Sequence, residues 1–343
     1  IGLLSGLPVL LFAVAALPGA LLIARLGSRM ALVGGLFLAA VGAALRAAGS
    51  GAVPLYAATI VMGAGIAIMQ PSMPALTREW MPQRIGFATA VYSNGLLVGE
   101  ILPVWLATPV LASLGGSWRL ELAVWALPVL LIGVLVLLRG PATSAGARGA
   151  SLAAWWPDWR DPLLWRLGLL FGSINATYFG TNAFLPAYLG ATGRGDLVSA
   201  ALTALNLAQL PASLVMLAIV GRLERRAYPY IVAGAAMTAG VIGLVTLTGA
   251  LVIAAAALLG CAGAAALILG LTLPPLLGGR ESVGRLSAAM FSISYASAML
   301  VALACGALWD VTHAPRAAFL PIGLATLSLS VSALVLKARR QLR

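Results

Sequence analysis

From residue 1 to about residue 337 the sequence repeats one pattern: roughly twenty apolar residues, a short polar, basic or glycine-containing break, then another apolar run. As a helix rising about 1.5 Å per residue, each run is long enough to cross the ~30 Å hydrocarbon core of a bilayer. Lipid offers no partner to a bare N–H or C=O, so such runs fold as transmembrane helices that satisfy their own backbones. Composition agrees, because 62% of the 343 residues are hydrophobic and only 9% are charged, outside the usage of soluble domains. The fold class is an all-α membrane protein.

The breaks place helices at about 1–24, 29–48, 52–77, 84–113, 119–138, 163–191, 196–220, 227–248, 251–276, 284–309 and 316–337. The longest break divides the chain into an N-terminal bundle (1–138), a linker (139–162) and a C-terminal bundle (163–343). The linker ends in WWPDWRD, and Trp155, Trp156 and Trp159 beside Asp158 and Asp161 read as an interfacial belt, with an aromatic ligand box as the sharper alternative. Of the 21 Lys and Arg residues, all but Arg46, Arg119, Arg194 and Arg316 fall on one side of the alternating spans. Basic loops stay in the cytoplasm, so that side and the C-terminus are expected inside and Ile1 outside. The chain opens within an apolar run, and a missing first helix would make twelve.

A formal net charge of +12 does not imply a nucleic-acid partner here, because the arginines sit in loops between spans rather than on one face. Cys261 and Cys305 fall inside apolar runs and read as small core residues rather than a disulfide or a metal site. No Ser/His/Asp set lies at one depth, no HExxH or phosphate loop appears, and the loops are too short for a catalytic domain. An enzyme is therefore not expected, and neither is a cofactor or a metal.

LPGALLIARLGSR, from Leu17, has a counterpart in LPASLVMLAIVGRLERR, from Leu210, and PALTREWMPQR (74–84) is echoed by PPLLGGRESVGR (274–285). Parallel repeats of six helices, with substrate held between the halves near the midplane, are a transporter plan. The stretch from Ala20 to Arg29 resembles the loop between helices 2 and 3 of the major facilitator superfamily, with Arg25, Gly27 and Arg29 fitting the pattern. The match is partial: the family's Asp is Ala24 here, its first Gly is Ala20 and one basic position is Ser28. GGSWRLELAVWALPVLL (115–131), FGSINATYFGTNAFLPAYL (171–189) and the following LNLAQLPASL are similar to the cyanate-permease and nitroimidazole-transporter branch of that superfamily. The resemblance covers essentially the whole chain. It implies two pseudo-symmetric bundles and a small anionic or neutral heteroaromatic solute, with no bound cofactor.

Independently of that resemblance, Gly27 permits a tight turn, while Arg25 and Arg29, like Arg222, Arg225 and Arg226 in the later loop, either fix topology and bond helix-end carbonyls or act as a latch that forms in one transport state. Glu100 is expected in the middle of a span, where a carboxylate costs a few kcal/mol and faces a cavity or a partner. At 100° per residue, Thr89, Ser93 and Glu100 lie within about 20° of one direction, so that face is expected to line the cavity. Proton coupling or substrate contact through Glu100 and a structural hydrogen bond both stay open. Asn175, Tyr178 and Asn182, then Thr203, Asn206, Gln209 and Ser213, form two polar stripes that either line the same path or join helices. Gln70 and Tyr295 are weaker candidates, and Met62, Met69 and Met73 read as packing. Arg46 is expected to snorkel or to attract an anion.

The expected function is secondary active transport of a small solute by alternating access, with protons as a candidate coupling ion, in a monomer embedded in lipid. A transport-inactive sensor and a drug-type efflux carrier are the alternatives.

Overall fold

A computed structural model describes residues 2–48, 51–141, 155–279, 282–339 and 342, so the middle of the expected linker lies outside the described residues. The helices are α1 (Gly2–Leu26), α2 (Ser28–Ala48), α3 (Ala52–Trp80), α4 (Ile85–Ser113), α5 (Trp118–Val124), α6 (Ala126–Arg139), α7 (Pro162–Ala191), α8 (Val198–Leu207), α9 (Gln209–Leu223), α10 (Tyr228–Thr246), α11 (Ala250–Leu277), α12 (Val283–Thr312) and α13 (Phe319–Ala338). No strand occurs among the described residues.

Two of the expected spans are interrupted. The span expected at 119–138 breaks at Trp125, and the one at 196–220 breaks at Ala208. Pro128 and Pro211 have no N–H to return to the carbonyls of Val124 and Leu207, the last residues of α5 and α8. Pro71, Pro74, Pro103, Pro109 and Pro186, by contrast, sit inside continuous helices.

Among the described residues, 10 helical segments are long and apolar enough to cross a membrane, where eleven spans are expected. The missing one is α7, which at 30 residues is long enough but carries Asn175, Thr177, Tyr178, Thr181 and Asn182 through its middle. It is buried along most of its length, with Leu167, Leu170, Leu185, Tyr188 and Leu189 fully covered, so its polar groups face protein instead of lipid.

The helices form two compact units. The first comprises Ile1–Gln83, Gly95–Trp159 and Gly278–Ser292, and the second Arg84–Asn94, Arg160–Leu277 and Ile293–Arg343. In the first, α2 and α3 meet backbone to backbone: a Cβ added at Gly42 would lie 2.3 Å from Met62 N. Close approach of this kind holds helices together in lipid, where dispersion replaces the hydrophobic effect. Met69 and Met73 pack against Leu32, Leu36 and Leu76, and Met62 packs against Ala40, Ala43 and Ala126. In the second unit, Leu185, Tyr188, Leu205, Val241, Leu259 and Ile322 are core side chains that join α7, α8, α10, α11 and α13. There α11 presses on α8 so closely that a Cβ at Gly260 would sit 2.0 Å from Leu205 O.

Candidate functional site

The break at Ala208 sets Asn206 at the end of α8 and Gln209 at the start of α9, facing the polar stripe of α7. Asn206 is the hub. Its Oδ1 accepts from Tyr178 OH at 3.0 Å and from Gln209 Nε2 at 3.3 Å. Its Nδ2 donates to Asn182 Oδ1 at 3.1 Å and to Leu202 O at 2.9 Å. Asn182 Nδ2 donates to Tyr178 O at 3.0 Å. Tyr178, Asn182 and Asn206 are half-buried and Gln209 is buried, so the cluster joins protein interior to accessible surface. Aromatic rings flank it: Phe179 lies 5.4 Å from Tyr178 and 6.2 Å from Tyr295, centroid to centroid. Cys261 Sγ donates to Ala208 O at 3.1 Å, bonding the carbonyl at the helix break. The cluster carries amides, a phenol and aromatic faces but no formal charge, so it offers hydrogen bonds and stacking rather than an ion pair.

Other expected site residues lie elsewhere. Asn175 donates to Ser294 Oγ on α12 at 2.8 Å and is buried. Ser213 Oγ donates to Asn94 Oδ1 at 2.8 Å, and Asn94 Nδ2 donates back to Ser213 O at 3.2 Å. Thr203 is exposed. Thr89 and Ser93 are fully buried in the second unit, whereas Glu100, on the same helix face, is exposed and belongs to the first. That face of α4 therefore passes from covered to open along its length. Gln70 is half-buried in the first unit.

In the first loop, Gly27 has the left-handed backbone that a tight turn needs, with φ 82°. Arg29 reaches the last turn of α6, where its guanidinium donates to Val136 O at 3.2 Å and Leu137 O at 2.6 Å. It thus caps α6 and not the preceding helix, bonding the Leu137 carbonyl and sharing the Val136 carbonyl with the Gly140 N–H, which also donates to it at 3.0 Å. Ser28 Oγ donates to Glu79 Oε1. Arg25 is exposed, as are Arg222, Arg225 and Arg226, and Arg226 lies 6.0 Å over the Tyr228 ring. Arg46 is half-buried, and its Nη1 lies 3.8 Å from Met62 Sδ.

Two polar features escaped the sequence reading. Asn94 lies beside Ser93 but off the face chosen for Glu100. Glu224, hidden among the arginines of its loop, accepts the Gly86 N–H at the start of α4, and burial pushes its carboxyl up despite the opposing pull of Arg225 and Gly86. Among the described residues, no group of three or more His, Cys, Asp or Glu could hold a metal ion.

The sequence profile of the Major Facilitator Superfamily matches residues 1–303. The chain belongs to the major facilitator superfamily. Its curated relatives include the cyanate transport protein CynX of Escherichia coli K12, 31% identical over 65% of this chain and 58% of that protein. The 2-nitroimidazole transporter of the same organism is 29% identical over 57% of this chain and 49% of its own length. The chain thus spans about half the length of these relatives. Among solved structures, the major facilitator transporter FucP in its outward conformation matches with a TM-score of 0.78 at 15% identity, covering 97% of this chain and 89% of that one. The human organic anion transporter MFSD10 matches with a TM-score of 0.72 at 16% identity, covering 97% and 83%. Both share the major facilitator fold of this chain.

Proposed function

We propose that this major facilitator protein carries a small solute across a bacterial inner membrane by alternating access, with residues 1–138 and 163–343 moving as two bundles about the 139–162 linker. The observation that carries the reading is the uncharged hub at the α8–α9 break, where Asn206 of α8 gathers Tyr178 and Asn182 from α7 and Gln209 from α9. Interrupted helices place main-chain and amide groups at solute depth, and relatives named for cyanate and 2-nitroimidazole transport support a small planar solute. The hub lacks a cation, which favours a neutral heteroaromatic compound that stacks on Tyr178, Phe179 or Tyr295 over a cyanate-like anion. Glu100, where the face of α4 opens, is the candidate for proton or solute contact.

The arginine-rich side, with the C-terminus, is assigned to the cytoplasm, and the working unit to a monomer. The protein is not an enzyme. Counterflow of labelled 2-nitroimidazole and labelled cyanate in proteoliposomes tests the reading. Exchange of the first in preference to the second is expected. Saturable binding of either without flux identifies a sensor, and broad exchange of bulky apolar compounds identifies a drug-type carrier.

A further inference from the structure

The amides of the hub have a fixed orientation. Asn206 turns one end of its amide to Leu202 O at 2.9 Å, and Asn182 turns one end of its own to Tyr178 O at 3.0 Å. A main-chain carbonyl can only accept, so each of those ends is the NH2 and the other end is oxygen. Gln209 approaches Asn206 Oδ1 at 3.3 Å and must present its own NH2 there, which turns Gln209 Oε1 away from Asn206.

A side-chain amide has two N–H donors and an oxygen that accepts twice. Asn206 has spent this capacity in full: Oδ1 on Tyr178 and Gln209, and Nδ2 on Leu202 and Asn182. It holds its neighbours and has nothing left for a solute. Asn182 keeps one N–H and one lone pair, since its Nδ2 donates once and its Oδ1 accepts once. Gln209 keeps one N–H and, among the described residues, receives no donor at Oε1. That oxygen is not one of the sealed side-chain atoms without a partner, so it opens to accessible surface although Gln209 as a whole is buried. The open capacity of the hub therefore lies on Asn182 and Gln209, each with a donor and an acceptor.

We propose that the solute is a neutral ring carrying an N–H donor beside an acceptor, and that Gln209 and Asn182 read this pair. Gln209 Oε1 accepts the solute N–H, and the open N–H of Asn182 donates to the neighbouring acceptor. The two side chains flank one Asn206 amide, Gln209 at its oxygen and Asn182 at its nitrogen, so one small ring across that amide meets both. The Phe179 and Tyr295 rings beside the hub supply the aromatic faces on which such a ring stacks. An anion with acceptors alone, such as cyanate, leaves Gln209 Oε1 unpaired and opposed to its charge. This assignment rests on the hub as the solute site, the reading of the preceding subsection, and adds that Asn206 positions while Gln209 and Asn182 recognise.

Isothermal titration calorimetry on the full chain in lipid nanodiscs tests the two contacts. The probes are 2-nitroimidazole and 2-pyridone against their N-methyl twins, at acidic pH so that the ring N–H is kept. Each twin retains the ring and the acceptor and loses the donor. The N–H compounds are expected to bind and the twins to bind at least about tenfold more weakly, because a site built around an N–H rejects an analogue that leaves its acceptor unpaired. Gln209→Met keeps the reach of the side chain without its amide, and is expected to lower each N–H compound to within about twofold of its twin, a change of ratio that lost packing alone does not produce. Equal affinity of parent and twin in the wild-type protein, tighter binding of cyanate than of either parent, or no binding of either parent overturns the proposal, whether or not Q209M folds. An unchanged ratio in folded Q209M overturns the role given to Gln209. The expected ratio without counterflow refutes transport and leaves the recognition standing, whereas counterflow indifferent to N-methylation does the reverse.

Discussion

Replacing Asn206 by leucine removes the hub while keeping the number and branching of the side-chain heavy atoms. The structure fixes what is lost: bonds from Tyr178 at 3.0 Å and Gln209 at 3.3 Å, and the bond to Asn182 at 3.1 Å. At roughly 0.6 kcal/mol for an average side-chain hydrogen bond within a membrane bundle, these three sum to about 2 kcal/mol. Abandoned partners that find no water cost ~1–3 kcal/mol each, so the loss grows if leucine seals the cluster. Intrinsic tryptophan fluorescence during heating is expected to show a lower unfolding midpoint for N206L in detergent, with solute counterflow lost. Thr203→Val is the control, since Thr203 is exposed one turn away and is expected to leave both unchanged. Asn206→Asp sharpens the test, because it keeps the acceptor for Tyr178 but sets a carboxylate oxygen against Asn182 Oδ1 and Leu202 O. N206L with wild-type midpoint and counterflow would refute the claim that Asn206 organises the site.

Three further outcomes are expected. Glu100→Gln removes the pH dependence of flux if Glu100 carries the coupling proton, and an unchanged pH profile in proteoliposomes excludes it. Arg29→Lys keeps the charge but loses the fork that holds Val136 O and Leu137 O, so a fall of about 1 kcal/mol in stability, read by thermal unfolding, is expected with membrane orientation intact. Because burial raises the Glu224 carboxyl above its ordinary value of 4.5, the folded chain keeps that proton to higher pH than the unfolded chain, so its contribution to stability is full at acidic pH and is lost as pH rises from 4.5 through the raised value. The difference in melting temperature between the wild type and E224Q, followed across that window, should therefore change with pH, and a constant difference counts against it.

Hydropathy alone located the spans to within a few residues, because a bilayer is a nearly uniform solvent and span length follows from its thickness. Loop motifs were enough to suggest the family, since Gly27 and the arginines around it obey local turn chemistry. The α7 stripe was visible as polar residues at helical spacing, but the break in the following span was not, because Pro211 reads no differently from Pro71 or Pro186, which sit inside continuous helices. Missing from that view were the partners. A helical wheel gives the direction of a side chain from its own axis, and Thr89, Ser93 and Glu100 share one, yet two are sealed and the third is open because different neighbours lie along α4.

Sequence by itself therefore determined the solvent this protein lives in, the number and extent of its helices to within two proline breaks, and its superfamily. Tertiary structure decided that Asn206 gathers Tyr178, Asn182 and Gln209, that Asn94 meets Ser213 across 119 residues of chain, and that Arg29 caps α6. The physical reason is that lipid drives every apolar helix into the membrane alike but does little to choose its neighbours. That choice falls to close packing at glycine and to a few hydrogen bonds between residues far apart in the chain.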